Sequence, residues 1–283
     1  MRFQKRFIHA MALMLACLLN ASCSHHASNV GGIETAEISI DQTTHLFQDE
    51  QKPAAHEEIH FTYITDERDE RMRDSLNRIF VDKTFGEKYR QVPAKDAPAQ
   101  YAADYAETYR HDLESSYLED VQTTDSDVIT SWYSYEETIE SAVERYQKNT
   151  LLVYRVSTYA YTGGVHGIYA TNYTNIDLHN LRIITLNDLF KAGYEGPLTN
   201  LICEQLMKDV EVESLEELEE EGFGPLEYIK PTENFIIDEE DIEFLYNVYE
   251  IAPYAYGAIS VVIPYETLMP LLNTDYLIVK KQL

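Results

Sequence analysis

The sequence predicts an α+β fold with a mainly antiparallel sheet packed against helices, and three observations carry that prediction. Segments with period-2 alternation and many Val, Ile, Tyr and Thr recur along the chain, notably over 59–64, 151–161 and 259–263. Two long segments, 66–85 and 99–119, place apolar residues at three- and four-residue spacing. Strands and helices follow one another without the regular alternation that a parallel βαβ sheet imposes, and no internal repeat of fixed period is present.

The early elements follow in order. Residues 36–40 alternate and suit a short first strand. In 59–64, Ile59, Phe61 and Tyr63 share one side and His60, Thr62 and Ile64 the other. The helix over 66–85 carries Met72, Leu76, Ile79 and Phe80 on one stripe, and its acidic start suits the helix dipole. Pro93 and Pro98 then break the chain before a second helix, in which Tyr101, Tyr105, Tyr109 and Leu113 align. The stretch 132–146 fits either a strand or a helix.

In the second half, Leu151 to Tyr161 reads as a strand, Gly163-Gly164 as a turn and 166–178 as the returning partner. His179-Asn180 turns the chain again before 181–186. A helix is expected over 197–207 and a solvated acidic helix over 215–221. Short strands over 235–237, 242–246 and 259–263 precede a closing helix over 264–272.

Composition bounds the function. The 283 residues are 45% hydrophobic and 12% aromatic, a composition that folds. A soft prior of about 150 residues per domain gives roughly two domains, or one large one. With 49 acidic and 22 basic residues the formal charge is -27, which repels nucleic acid and an anionic bilayer face.

The first residues read as a targeting segment. Arg2, Lys5 and Arg6 precede a short apolar run, too short for a permanent span of ~20 residues, then small residues and Cys23. Leu19-Asn20-Ala21-Ser22-Cys23 resembles a bacterial lipobox, with Asn20 where that pattern prefers Leu. Cys17 offers a second cut, and an ordinary secretory cut near Ser22 a third. The expectation is a lipoprotein signal peptide over 1–22, lipidation at Cys23 and a flexible tether over 23–55. Removing 1–22 takes away three cations and no anion, so the formal charge moves from -27 to -30. Cys203 then has no partner and sits in an apolar helical pattern, as a buried thiol would.

Few motifs carry chemistry. His56-Glu57-Glu58-Ile59-His60 matches the H-E-x-x-H zinc-protease pattern, which needs a helix to bring both imidazoles to one metal. The surrounding alternation instead predicts a strand, on which the two imidazoles stand ~13 Å apart. The acidic run Asp238-Glu239-Glu240-Asp241 lacks the spacing of a calcium loop and suits a hairpin turn. No metal site or cofactor is expected. The 22 tyrosines cluster around the double glycine (Tyr159, Tyr161, Tyr169, Tyr173) and near the end (Tyr246, Tyr249, Tyr254, Tyr256, Tyr265). Tyrosine combines an apolar ring with a polar tip, so it suits half-buried sheets and binding surfaces alike.

The most specific segment is Tyr161-Thr162-Gly163-Gly164-Val165-His166-Gly167. It is followed by Tyr173-Thr174-Asn175-Ile176-Asp177-Leu178, Ile184-Thr185-Leu186-Asn187-Asp188-Leu189-Phe190 and Tyr249-Glu250-Ile251-Ala252-Pro253-Tyr254-Ala255-Tyr256-Gly257. This series resembles the extracytoplasmic domain of RsiV-type, lysozyme-sensing anti-sigma factors, with Val165 in the Ala place of their Gly-Gly-Ala-His-Gly hallmark. The resemblance covers about 150–270 and implies an RsiV-like domain over 150–283. The α+β half over 56–149 is similar to the companion domain that precedes it, which also occurs beside peptidoglycan deacetylase domains.

The resemblance implies a stand-alone, catalytically silent binding module on a lipid anchor in the cell envelope. A cationic protein such as lysozyme, or a cell-wall component, is the expected partner. The chain would touch the membrane only through its lipid, and the absence of an Asp after Cys23 favours the outer membrane. Gly163, Gly164, His166, Gly167, Tyr161, Tyr169, Tyr254 and Tyr256 are the candidate binding residues. The residues leave two roles open for His166, a structural pin of the hairpin or a group facing a ligand. The alternative function, an envelope hydrolase acting on peptidoglycan or polysaccharide, needs His166 to converge with Asp177 or Asp188 in one cleft.

Overall fold

The structure is a computed structural model that describes residues 27–66, 68–225, 228–274, 276 and 278. The signal peptide expected over 1–22 and the expected lipidation site Cys23 lie outside the described residues. Strands β1 (Ala27–Val30), β2 (Ile33–His45) and β3 (Ala54–Ile64) open the chain as an antiparallel meander. Helices α1 (Glu70–Phe85), α2 (Ala97–Asp120) and α3 (Ser126–Tyr133) follow. Then come β4 (Tyr135–Gln147), β5 (Leu151–Tyr161), β6 (Ile168–Asp177) and the two-residue β7 (Arg182–Ile183). These seven strands form one sheet in sequence order, antiparallel throughout except that β3 pairs with β4 in parallel. That exception is forced by the intervening helices, because a parallel neighbour needs a crossover connection.

The rest of the chain builds a second layer. It contains α4 (Leu186–Leu189), α5 (Glu195–Asp209), α6 (Leu215–Glu220), β8 (Phe235–Ile237), β9 (Asp241–Tyr246), β10 (Ile259–Pro264) and α7 (Tyr265–Leu268). Strands β8, β9 and β10 form a separate three-stranded antiparallel sheet. The mixed, mainly antiparallel fold read from the sequence is therefore the observed one. No helix among the described residues is long and apolar enough to cross a membrane.

Two expectations are corrected. Residues 27–45 are not a tether: Ile33, Ile38 and Ile40 are buried, and β2 pairs with β3 from Thr35 to His45. The apolar positions of β2 alternate too sparsely among Glu, Asp, Gln and Thr for the strand to stand out in the sequence. The division at 149/150 falls in the tight connection between β4 and β5, so both halves share one sheet.

Strand β5 explains that sharing. Leu152, Tyr154 and Val156 join the core beneath α1, whereas Leu151 and Val153 join the core formed with α5 and the small sheet. A run buried on both faces reads as continuously apolar, as 151–154 does. On the α1 side Asp69 caps the helix by accepting from Met72 N. Phe80 stacks on Tyr154 at 3.8 Å and 5°, and Thr84 meets the Tyr154 hydroxyl at 2.8 Å.

The second layer is fastened by asparagines. Strand β7 covers only Ile176 and Asp177 of the outer edge of β6. Further along, Asn234 Oδ1 accepts from Tyr173 N, its Nδ2 donates to Thr171 O, and Asn247 Oδ1 accepts from Thr171 N. In the other direction Asn175 Nδ2 donates to Phe235 O and its Oδ1 accepts from Ile237 N. Side-chain amides thus stand in for a neighbouring strand and pair these backbone groups. Asn175→Ala removes two of these bonds and strands the β8 groups, and should cost about 2–3 kcal/mol of stability, read as a lower urea midpoint.

Candidate functional site

The β5–β6 loop, residues 162–167, is shaped by its glycines. Gly163 has φ +81°, and a Cβ there would lie 2.6 Å from the carbonyl oxygen of Trp132 at the end of α3. A Cβ on Gly167 would meet the Tyr159 ring at 2.4 Å. The first glycine therefore supplies a left-handed backbone and close approach, and the second supplies room for a ring. Tyr161 Oη donates to Gly164 O at 3.0 Å and holds the turn from below.

The loop presents His166 to the C-terminal tyrosines. Its Nδ1 bonds Gly167 O at 3.0 Å, its Nε2 meets the Tyr249 hydroxyl at 3.2 Å, and its ring stacks on Tyr254 at 4.1 Å and 25°. Tyr254 Oη donates to Gly167 O at 3.1 Å, and Tyr169 meets Tyr254 edge-on at 5.9 Å. A Cβ on Gly257, φ +74°, would lie 3.1 Å from the Tyr169 hydroxyl. The result is a surface of aromatic rings held from both sides. Val165 at its tip is 98% exposed, and Trp132, Ile168, Tyr169 and Tyr249 are all exposed. Exposed apolar groups concentrated in one patch mark an interaction surface.

Gly163, Gly164, His166, Gly167, Tyr161, Tyr169 and Tyr254 are brought together. Tyr256 is not: its ring packs on Phe223 at 5.0 Å and its hydroxyl donates to Glu221 O. Tyr249 and Trp132 belong to the surface and were not singled out. For Tyr249 the signal was its place in the C-terminal tyrosine cluster; for Trp132 no local signal existed, because α3 reaches the turn only through the fold. His166 is both a pin of the hairpin and an exposed ring.

The acids required by a hydrolase lie elsewhere. Asp177 ends β6, whose start adjoins His166, so roughly 30 Å of strand separates them. Asp177 accepts from His179 N, Asn180 N and the Tyr276 hydroxyl. Burial raises its pKa, but these bonds outweigh it and hold the carboxyl below its ordinary range. Asp188 is clamped by both Arg182 nitrogens at 2.8 Å and closes the capping box of α4 with Thr185. Both acids are structural. Cys203 is buried in the α5 core, and burial followed by the charge of Glu204 pushes its thiol up, away from reactivity. The run Asp238-Glu239-Glu240-Asp241 is the β8–β9 turn, tied to β4 by Arg145.

The zinc-protease pattern lies on β3. His56, Glu58 and His60 share its outer face, and His60 is held by Glu58 at 3.0 Å and Glu37 at 3.2 Å. Glu57 points the other way and is 1% exposed beneath α2. It pairs in register with Glu137 of β4. Gln42 Nε2 donates to its Oε2 at 2.6 Å, Tyr101 Oη donates to both Glu137 oxygens, and Glu57 Oε1 has no other partner. Burial, then the charge of Glu137, pushes Glu57 up to about 8, and burial also raises Glu137. The pair holds a proton at neutral pH. Its signal was available, since period 2 puts Glu57 with Ala55, Ile59 and Phe61 on the apolar side.

The fold and this surface define an α+β protein, its large sheet covered on both faces, with an exposed aromatic face. The model of a family described as a protein of unknown function, DUF3298, matches residues 187–266. A solved member of that family from Bacteroides fragilis NCTC 9343 is 42% identical, with a TM-score of 0.83 over 90% of this chain and 99% of that one. The chain belongs to the DUF3298 family. A DUF3298 protein from Pseudomonas aeruginosa PAO1 shares the fold at 15% identity and a TM-score of 0.58, over 85% of this chain and 94% of that one. The chain is also distantly similar to the peptidoglycan-N-acetylmuramic acid deacetylase PdaC of Bacillus subtilis (strain 168), 26% identical over 141 residues. That match spans 49% of this chain and 30% of the deacetylase.

The acid pair sets a pH dependence. From about pH 4.5, the ordinary value, to about 8, the folded protein holds a proton on Glu57 that the unfolded chain releases. Stability should therefore fall as pH rises through this window, by up to ~1.4 kcal/mol per pH unit for one proton. Glu57→Gln should flatten that slope in urea titrations run at several pH values. Separately, Gly167→Ala should destabilise the loop by about 1–3 kcal/mol through its clash with Tyr159, visible as a lower Tm.

Proposed function

We propose that the chain is a non-catalytic, lipid-anchored recognition module of the cell envelope that binds a cell-wall ligand through the His166–Tyr249–Tyr254–Tyr169 face. The carrying observation is that face itself: exposed rings pre-organised by Gly163, Gly167 and Gly257, so little side-chain entropy is lost on contact. The similarity to a peptidoglycan deacetylase supports a cell-wall setting. Acylation at Cys23, in the outer membrane facing the periplasm or the surface, would keep the module there.

A second reading, that the ligand is lysozyme, is favoured by the Gly163-Gly164-Val165-His166-Gly167 segment and by the charge of -27. Such a field steers a cationic protein at long range. The hydrolase reading has no support in the separation of His166 from Asp177 and Asp188.

Purified protein should co-sediment with peptidoglycan sacculi, and Tyr249→Ala with His166→Ala should weaken this at least about tenfold, as truncation of an aromatic anchor does. Unchanged sedimentation of the double variant would remove the aromatic face from the reading. Calorimetric titration with C-type lysozyme at low and high salt tests the second reading, which requires binding at low salt. Cys23→Ser should abolish incorporation of labelled palmitate.

A further inference from the structure

The buried acid pair lies at the centre of a row that crosses four strands. Gln42 on β2, Glu57 on β3, Glu137 on β4 and Ala160 on β5 are partners in register, so they share the face under α2 at intervals of about 4.8 Å. Helix α2 closes the row from above. Tyr101 Oη donates to both Glu137 oxygens, and Gln42 Nε2 donates to Ala102 O at 2.9 Å as well as to Glu57. Tyr105 is the other titratable group of α2 that faces the pair; burial, then the charges of Glu137 and Glu57, pushes its hydroxyl up. Gln42 and Ala160 bring no charge from β2 and β5, and no basic side chain among the described residues is paired with either carboxylate. A second negative charge in this row would have neither a counter-ion nor water.

The wall that can give way is α2. Strands β3 and β4 are interior strands with a ladder on each side. Above the pair, from Tyr101 to Tyr105, α2 carries no aliphatic side chain larger than alanine. What α2 holds in turn is α3. Tyr109, two turns beyond Tyr101, donates to Tyr133 O at 2.6 Å, and the Tyr117 ring meets Tyr133 edge-on at 5.3 Å. With Ile129 these residues belong to a small core separate from the other two. Helix α3 then abuts the glycine loop: Ser131 Oγ lies 3.2 Å from Tyr161 Oη, and the Trp132 carbonyl packs against Gly163. Direct contacts thus run from the acid pair to the Trp132 edge of the aromatic surface.

We infer that Glu57 and Glu137 form a proton-operated latch on that surface: sharing a proton, they seat α2 and hold α3 against the glycine loop, and with both ionised, α2 lifts over the pair, water enters and Trp132 loosens. One proton leaves to solvent when the latch opens. Opening follows a rise in pH through about 8, where burial and Glu137 place the loss of the Glu57 proton. Its meaning for a ligand rests on the aromatic face being the binding surface. The motion itself does not, and it is measured without a ligand, so the two readings fail separately.

Trp132 is the sole tryptophan of the chain, so its fluorescence reports on α3 alone. In the purified protein its acrylamide quenching constant should rise at least about twofold between about pH 6 and pH 9, with the far-UV circular dichroism constant. Glu57→Gln keeps the shape of the protonated acid and cannot ionise, so it should hold the low-pH value throughout. Tyr109→Phe leaves the pair intact and cuts the link to α3. In it the α2 amides from Tyr101 to Tyr109 should still gain at least about fivefold in hydrogen exchange over that range, relative to α5 amides in the same sample, while Trp132 quenching no longer follows pH. A flat quenching profile in the unmodified protein overturns the latch. So does the same rise in Glu57→Gln, which would make another group the titrating one, or a parallel loss of helical signal, which would be global unfolding. A Tyr109→Phe quenching profile identical to that of the unmodified protein overturns the relay, and this arm stands even where Glu57→Gln does not fold.

Discussion

The fold depends on one strand being buried on both sides. Over four residues β5 sends Leu151 and Val153 to the α5 core and Leu152 and Tyr154 to the α1 core. Each such side chain removes about 1.5–3 kcal/mol of unfavourable hydration, and none can be made polar without leaving a buried defect in one layer. The two cores are therefore coupled through a shared wall. The tyrosine in that wall is acceptable only because Thr84 satisfies its hydroxyl and Phe80 covers its ring. Past Val156 the strand emerges from both cores, and its residues become Ser157, Tyr159 and Tyr161, available to the surface.

Much of this architecture was legible because hydrophobic period survives in a sequence. Strand β5 has the bounds expected, and α1, α2, α5 and β8 to β10 fall within a few residues of theirs. The stretch left open between strand and helix divides at Ser134, where α3 ends and β4 begins. β2 was missed as a long strand because its solvent face is Glu, Ser, Asp and Thr, a composition shared with linkers. The asparagine fastening was illegible for a different reason. Asn175, Asn234 and Asn247 look like turn residues, and only the meeting of β6 with the small sheet makes them backbone surrogates.

The candidate site divides in the same way. The glycine–histidine segment could be recognised by type, since glycines at 163 and 164 announce an unusual backbone and a third at 167 a close approach. What faces it could not, because Trp132 and Tyr249 arrive from 30 residues before and 80 residues after through long-range packing. The acid pair shows the reverse failure: the pattern His56 to His60 drew notice for its imidazoles, while the unusual chemistry lay in the residue between them, turned inward.

The parallel pairing of β3 with β4 has a further consequence for how the chain is made. As the polypeptide leaves the ribosome, β1, β2 and β3 can associate at once by short turns, but the outer edge of β3 stays bare until residues 65–134 have followed. Synthesis at ~5–20 residues per second makes that an interval of several seconds. During it a ready-made template for another chain is open. His56, Glu58 and His60 on the outer side of β3 then act as gatekeepers: their polar side chains discourage a second copy from adding to the nascent edge.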